Sequence, residues 1–324
     1  MTEALQRGEA RPVGERVPGA SAAQRTIAVV GDAWTLRILR TVFRGKRRYG
    51  DFVQEFGVSR AVLSDRLSKL VAHGVLQRHG PDGRHPEYRL TERGLDLWSL
   101  FLAMWLWETD WGTAVDPDTW APDLPRAQLS HSGCGHVMRP QLLCLQCHAP
   151  VVPFDTRAEG GPAQDRDIRA GATATASAFR RARQPSLADG TPAQPAQRLV
   201  RVVGDRWNCA VVAAAFRGAR LFSGFEEQLQ ISPAQLSARL TELQQLGILR
   251  RRAYSGARQE YRLTKAGVAL FPITLEMVRW GNRWLWPEGA ALTVRHLPCA
   301  QTLDARWHCG RCAGELTREA VRFS

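Results

Sequence analysis

The sequence lacks the features of a membrane or exported protein. No apolar run approaches the roughly eighteen residues that a membrane-spanning helix requires. The first residues, MTEALQRGEARPVGERVPG, are polar and contain no apolar signal-peptide core. Nucleotide-binding glycine loops, nucleophile elbows and open metal triads are also missing. These absences predict a cytoplasmic protein that is not an enzyme.

The composition is that of a globular chain with an excess of basic residues. The 324 residues suffice for two domains, and 44% of them are hydrophobic and 23% charged. The formal net charge of +13 suits a polyanionic partner such as nucleic acid. Lysine occurs only at positions 46, 69 and 265, so a genome-wide preference for arginine codons could equally supply much of this excess. The net charge alone therefore does not decide whether the protein binds nucleic acid.

The chain is an internal duplication. The segment at 29–45 returns at 202–218, and further matching segments, including EYRLT, keep the same offset of 173 residues. A cysteine-rich segment at 131–147 returns at 296–312, with the offset shortened by eight. The architecture is therefore two copies of one unit, which we call repeat one and repeat two.

The apolar pattern of repeat one predicts helices followed by a β-hairpin. Ser59 is placed to cap a helix whose buried stripe is Leu63, Leu67 and Leu70. A loop rich in turn residues separates two short strands, and a long apolar helix follows. The predicted elements are helices over 24–44, 50–56 and 60–73, strands at 75–78 and 87–90, and a helix from Thr91 to about Trp111. This order is typical of a winged helix-turn-helix domain.

A winged helix-turn-helix domain predicts which side chains contact duplex DNA. The helix after the turn fits the major groove, and an arginine-tipped hairpin can lie along the phosphates or enter the minor groove. The alternative is that these side chains are ordinary solvated residues. The predicted DNA-binding residues are Arg60, Val62, Ser64, Arg66, Lys69, Arg84 and His85 in repeat one, and Gln235, Ser237, Arg239, Tyr254 and Arg258 in repeat two.

Each repeat resembles the HxlR-type winged-helix regulators, which are relatives of the MarR group. The resemblance rests on the G-D-x-W opening at Gly31 and Gly204, the FRG turn, the S-x-x-x-L-S-x-R-L helix and the EYRLT-x-x-G junction. It implies a transcription regulator, expected to be a repressor, whose terminal helices pair two recognition helices on adjacent major grooves of an operator. Because relatives usually carry one such domain and dimerise, this chain is expected to form a pseudo-dimer by itself or a homodimer.

Two four-residue patterns predict structural zinc sites. The spacing H-x2-C-x9-C-x2-C occurs once in each repeat, and four closely spaced soft or borderline ligands suit tetrahedral zinc without an open position. The sequence therefore predicts one zinc knuckle per repeat, with ligands His131, Cys134, Cys144 and Cys147 in the first and His296, Cys299, Cys309 and Cys312 in the second. Two alternatives to structural zinc stay open. They are zinc-thiolate redox sensing and, with less support, haem attachment at the C-x-x-C-H string.

The resulting fold class is mainly α with small β-wings. It comprises two tandem winged helix-turn-helix domains, each followed by a small Cys/His zinc knuckle. The predicted boundaries are a disordered tail at 1–20, winged-helix domains at 21–120 and 196–290, knuckles at 125–153 and 291–318, and a flexible linker at 154–195.

Three questions stay open at this stage. The tryptophans that crowd the ends of both repeats favour a helix–helix core, but a pocket for a small apolar effector is the alternative. Cys209 aligns with Leu36 and is predicted to be a small core residue. A module that binds another protein through diverged winged helices is the rival to DNA binding.

Overall fold

The computed structural model describes residues 22–80, 86–112, 128–160, 196–255, 258–286 and 289–323. The predicted tail and most of the predicted linker lie outside these residues. About half of the described residues are helical and the strands form small sheets, so the predicted fold class, mainly α with small β-wings, is confirmed. Among the described residues, no helix is both long and apolar enough to cross a membrane.

Repeat one folds as a helix-turn-helix followed by a two-stranded wing and a helical arm. Its elements are α1 (Ala22–Val30), α2 (Ala33–Phe43), α3 (Tyr49–Phe56), α4 (Arg60–Ala72), β1 (Leu76–His79), β2 (Glu87–Leu90), α5 (Glu92–Leu95) and α6 (Trp98–Trp111). The strands β3 (Leu129–His131) and β4 (Pro140–Cys144) follow, and a 3-10 turn at Pro153–Asp155 leads into β5 (Thr156–Gly160).

Repeat two has the same order of elements. They are α7 (Ala196–Val203), α8 (Arg206–Phe216), α9 (Phe222–Leu229), α10 (Pro233–Gln245), β6 (Leu249–Ser255), β7 (Arg258–Leu263), α11 (Lys265–Val268) and α12 (Phe271–Leu285). The strands β8 (Leu292–His296), β9 (Gln301–Thr302), β10 (Ala305–Cys309) and β11 (Val321–Phe323) complete it.

Local chemistry explains where these helices begin. The Asp32 carboxylate caps α2 by accepting from the Trp34 and Thr35 amides, and the Ser59 hydroxyl caps α4 by accepting from the Val62 amide at 3.4 Å. Gly94 allows α5 to lie against the wing, because a Cβ there would stand 2.2 Å from the Val75 carbonyl oxygen. The long helix predicted from Thr91 is in fact broken into α5 and α6.

The two repeats pack against each other through their helical arms. The Trp107 indole donates to the Ala266 carbonyl at 2.8 Å, and the Trp280 indole donates to the Arg93 carbonyl at 2.9 Å. At the offset of 173 these two contacts are counterparts of each other. The contact is therefore reciprocal, as at the interface of a two-fold symmetric dimer. The prediction that the tryptophans form a core between the repeats agrees with this arrangement.

Ion pairs surround the tryptophans at this interface. The Arg279 guanidinium donates to the Asp96 carboxylate at 3.0 and 3.2 Å and to the Asp96 carbonyl at 2.9 Å. The buried Glu276 accepts from Ser99 at 2.7 Å. Burial raises the cost of an unpaired charge, so these partners fix the relative position of α6 and α12.

The cysteine-rich segments of both repeats form one shared set of strands. β4 pairs antiparallel with β10, and Leu142 lies opposite Trp307, its own counterpart at the offset of 165. The pseudo-two-fold axis therefore passes between these two residues. β3 pairs with β11, and β5 pairs with β8, so each of these pairs also joins the two repeats, while β9 pairs with β8 of its own repeat. We call this unit the shared strand module.

The structure differs from the predicted boundaries at the shared strand module. Residues 154–160, assigned to the linker, form part of the 3-10 turn and β5, and β11 lies beyond the predicted end of the second knuckle. β5 contains few apolar side chains, and its backbone groups are satisfied by β8 of the other repeat. A pattern read along one repeat contains no signal for such a pairing.

Candidate DNA-binding surface and metal centres

The helix α4 presents most of its predicted DNA-binding residues to solvent. Arg60, Ser64 and Lys69 are exposed and Val62 is half-buried, while the apolar stripe of α4 is buried as expected. The Tyr49 hydroxyl, which the sequence analysis did not single out, lies 3.1 Å from the Arg60 carbonyl and 3.2 Å from the Ser64 hydroxyl. Tyr49 therefore positions the first turns of α4.

Arg66 and its counterpart Arg239 are engaged by carboxylates of their own repeat. Arg66 Nε lies 3.0 Å from Asp32 Oδ1 and the guanidinium also pairs with Asp65, which leaves the side chain 17% exposed. Arg239 lies 3.2 Å from Asp205, the counterpart of Asp32. Because this pair recurs in both repeats, it ties each recognition helix to the capped start of the preceding long helix.

The helix α10 has a different charge arrangement from α4. Gln235 and Ser237 are exposed at its start, as predicted for groove-facing residues. Glu242 occupies the position of Lys69 and accepts hydrogen bonds from Asn208 and from two arginines, Arg201 and Arg239. Burial opposes ionisation of Glu242, but these donors outweigh it and lower the pKa of its carboxyl. Glu242 is therefore negatively charged and links α10 to α7 and α8 within repeat two.

The wings are described in part. Arg84 and His85 lie outside the described residues, and so do the side chains of Tyr254 and Arg258. In repeat two, the described part of β6 carries three successive exposed arginines that the sequence analysis did not select. These are Arg250, Arg251 and Arg252.

The structure brings the eight predicted metal ligands into two groups of four. One group is His131, Cys134, Cys309 and Cys312, and the other is Cys144, Cys147, His296 and Cys299. Within each group the potential ligand atoms all lie within 4.8 Å of one another. The residue types predicted from the sequence therefore meet in space as two Cys3His clusters that could bind metal.

The predicted assignment of one complete cluster to each repeat is wrong. Each cluster takes its H-x2-C pair from one repeat and its C-x2-C pair from the other. The physical reason is the antiparallel pairing of β4 with β10, which places Cys144 opposite Ala305 and Cys309 opposite Pro140. This register carries the two C-x2-C turns to opposite ends of the strand pair, next to the partner repeat's histidine.

The distances within both clusters fit a tetrahedral metal. Typical zinc–sulfur and zinc–nitrogen bond lengths imply about 3.8 Å between two sulfur ligands and about 3.5 Å between sulfur and nitrogen. Cys134 Sγ and Cys309 Sγ are 4.0 Å apart, and Cys312 Sγ is 3.3 Å from His131 Nδ1. In the other cluster, His296 Nδ1 is 3.4 Å from both Cys147 Sγ and Cys299 Sγ.

The turns at the clusters favour the thiolate form of the first cysteine in each C-x2-C pair. His148 and Ala313, counterparts in the two repeats, both adopt a positive φ that closes the C-x2-C turn. Burial raises the pKa of Cys144, but donation from the backbone amides of Cys147 and Gln146 outweighs it, so the pKa is lowered. Burial also raises the pKa of Cys309, but donation from the backbone amides of Cys312 and Arg311 outweighs it, so this pKa is lowered as well. A metal binds the thiolate form, so these turns prepare Cys144 and Cys309. The Ala149 and Gly314 amides lower the pKa values of Cys147 and Cys312, but burial and the neighbouring cysteines outweigh these amides, so both pKa values are raised.

Cys209, the remaining cysteine, lies apart from both clusters. Its thiol donates to the Val202 and Val203 carbonyls at 3.3 and 3.5 Å, and burial raises its pKa. The side chain is only partly exposed, which agrees with a packing role.

Comparisons with known proteins match this architecture twice. The model of the HxlR-like helix-turn-helix family matches residues 29–116 and 202–288. An uncharacterized HTH-type transcriptional regulator of Mycobacterium tuberculosis is 36% identical over 140 residues, covering 43% of this chain and 84% of that protein. The HTH-type regulator YvaP of Bacillus subtilis is 34% identical over 95 residues, covering 28% of this chain and 88% of that protein.

A solved structure is also similar. The crystal structure of PA1607, a candidate transcription factor, is 31% identical with a TM-score of 0.38, and the match covers 41% of this chain and 96% of that one. The two family matches, the named relatives and the winged helices described above agree with one another. The chain therefore belongs to the HxlR-like helix-turn-helix family, as a DNA-binding transcriptional regulator that carries the family's domain twice in tandem.

Proposed function

We propose that one chain supplies both DNA-binding domains of a sequence-specific cytoplasmic repressor. The observation that carries this proposal is the reciprocal pair of contacts made by Trp107 and Trp280, because it gives the two repeats the symmetry of a dimer. In such an arrangement the recognition helices α4 and α10 enter successive major grooves on one side of the duplex. A chain that covers two adjacent grooves excludes other proteins from that DNA, so repression by occlusion follows.

The predicted residues other than Arg66 and Arg239 are the ones we assign to DNA contact. Arg60, Ser64 and Val62 at the start of α4 face the base edges, and Gln235 and Ser237 take these places on α10. The other predicted DNA contacts are Lys69, which reaches the phosphate backbone, and the wing residues Arg84, His85, Tyr254 and Arg258. Because Arg66 and Arg239 are held by Asp32 and Asp205, we propose that they position the helices instead of reading a base.

We propose Zn²⁺ as the metal of both Cys3His clusters. Three thiolates and one imidazole in tetrahedral spacing are the ligands that zinc favours, and four protein ligands leave no open position for a reacting water. When bound, the ion supplies structural cross-linking only. The shared strand module is fixed to the helical arms through Arg139, which pairs with Asp110, and through Trp307, which donates to Glu276 at 3.0 Å.

Selection from random duplex DNA tests the proposed function. The zinc-loaded protein is expected to enrich a two-part motif whose half-sites lie about one helical turn, or roughly 10 base pairs, apart. The half-sites are expected to differ, because Asp65 and Lys69 of α4 correspond to Ala238 and Glu242 of α10. Enrichment of no motif, together with a stoichiometric protein partner, would instead support the protein-interaction module.

A further inference from the structure

We propose that the two repeats divide the work of DNA binding between different elements. The recognition helix α4 of repeat one makes the stronger base contacts, and the arginine-rich wing β6–β7 of repeat two makes the stronger contacts to the phosphate backbone. This inference rests on the proposed function and adds the role of each repeat. Three independent comparisons of counterpart positions support it.

The first comparison concerns the recognition helices. α4 carries three basic residues, Arg60, Arg66 and Lys69, against one acidic residue, Asp65. α10 carries one of each sign, Arg239 and Glu242, and these two pair with each other at 2.9 Å. Asp65 pairs with both Arg66 and Lys69, so α4 keeps a net positive charge, whereas the single basic and single acidic residue of α10 cancel.

The second comparison concerns the support of the groove-facing serine. Ser64 of α4 lies 3.2 Å from the Tyr49 hydroxyl, which fixes the direction of its own hydroxyl group. The counterpart of Tyr49 is Phe222, which offers no hydroxyl to Ser237 of α10. A base contact requires a precisely held donor or acceptor. The tyrosine in repeat one therefore holds Ser64 in the fixed orientation that a base contact needs, and repeat two has no such tyrosine for Ser237.

The third comparison concerns the wings. Two positions on one face of the hairpin change from Gln77 and His79 in repeat one to Arg250 and Arg252 in repeat two. Side chains two residues apart in a strand share a face. Arg262 of β7 lies opposite Arg250, as its counterpart Arg89 lies opposite Gln77, so among the described residues this face carries three arginines in repeat two and one in repeat one.

The acidic residue on this face of the wing is neutralised locally. Glu260 lies opposite Arg252 and is buried, and its carboxylate accepts from Arg262 at 2.5 Å. Arg250 and Arg252 are exposed. Long exposed arginines on a strand suit phosphates, which carry no sequence information.

The test replaces the wing arginines with the residues of repeat one, as Arg250→Gln with Arg252→His. The expected result is a weaker complex on every duplex and a plot of log Kd against log salt whose slope falls by about two. The motif enriched from random DNA is expected to stay the same. The matched control is Arg157→Gln with Arg322→His, the same change on exposed arginines of the shared strand module, and it is expected to leave the slope unchanged.

The complementary variant is Ser64→Ala on α4. It is expected to change the enriched motif at one half-site while leaving the salt slope unchanged, and Ser237→Ala is expected to cause a smaller change at the other half-site. An altered motif in the wing variant, an unaltered salt slope in it, or a larger motif change from Ser237→Ala than from Ser64→Ala would each overturn this division. In those cases the wild-type protein still enriches a motif, so the proposed function stands. Failure of the wild-type protein to enrich any motif would remove both.

Discussion

Replacing Cys134 and Cys144 together with serine is expected to abolish both metal sites, whereas replacing Cys134 and Cys309 together abolishes one. The reason is that Cys134 and Cys309 are ligands of the same cluster, while Cys144 belongs to the other. Cys144 and Cys309 are buried counterparts, so the two double variants remove chemically equivalent thiols. Zinc retained against a competing chelator, measured per chain by elemental analysis, distinguishes them.

The effect of these substitutions on stability is expected to be large. Structural zinc sites contribute apparent binding free energies of about 10–16 kcal/mol in small zinc domains at neutral pH, and binding occurs only in the folded state. Cys209→Ser is the control, because Cys209 lies outside both clusters and both zinc ions are expected to remain. If the Cys134/Cys144 variant kept one zinc ion and the Cys134/Cys309 variant kept none, each cluster would be built within one repeat and our assignment would be wrong.

Truncation of the two central tryptophans is expected to be the most destabilising change in the helical part. Trp107 and Trp280 are 2% and 0% exposed, and each donates to a carbonyl of the other repeat. Trp107→Ala or Trp280→Ala is expected to cost about 3–5 kcal/mol in the free energy of unfolding, because a large cavity opens. An unpaired carbonyl adds to this cost. Chemical denaturation of the zinc-loaded protein measures the change.

The conservative variants Trp107→Phe and Trp280→Phe separate packing from hydrogen bonding. They keep an aromatic ring in the interface but remove the indole donor, and a buried carbonyl left without a partner costs about 1–3 kcal/mol. Because the two tryptophans are counterparts, their losses are expected to be similar. A loss below 1 kcal/mol for both alanine variants would show that the repeats do not depend on this interface.

The sequence was sufficient to predict the helix-turn-helix and the wing strands. The periodicity of Leu63, Leu67 and Leu70 identified α4, and the repeated spacing of cysteine and histidine identified the residues that meet as metal clusters. These features are local, since each depends on residues within a few positions of one another. The same holds for the Ser59 cap.

The grouping of the metal ligands depends on contacts between repeats. Both repeats carry the same spacing, so the sequence offers no signal as to whether the His131 pair meets the Cys144 pair or the Cys309 pair. The register of β4 against β10 decides this. Arg66 is a similar case, because its partner Asp32 lies 34 positions earlier in the chain and only the folded packing brings the two together.

The mass of the protein–DNA complex tests the central claim most directly. Sedimentation of the zinc-loaded protein with a duplex carrying the selected two-part motif is expected to show one chain per duplex, with both half-sites protected from cleavage. That result follows if repeat one and repeat two together replace the two subunits of a dimer. Two chains per duplex, or protection of one half-site by a single chain, would contradict the account.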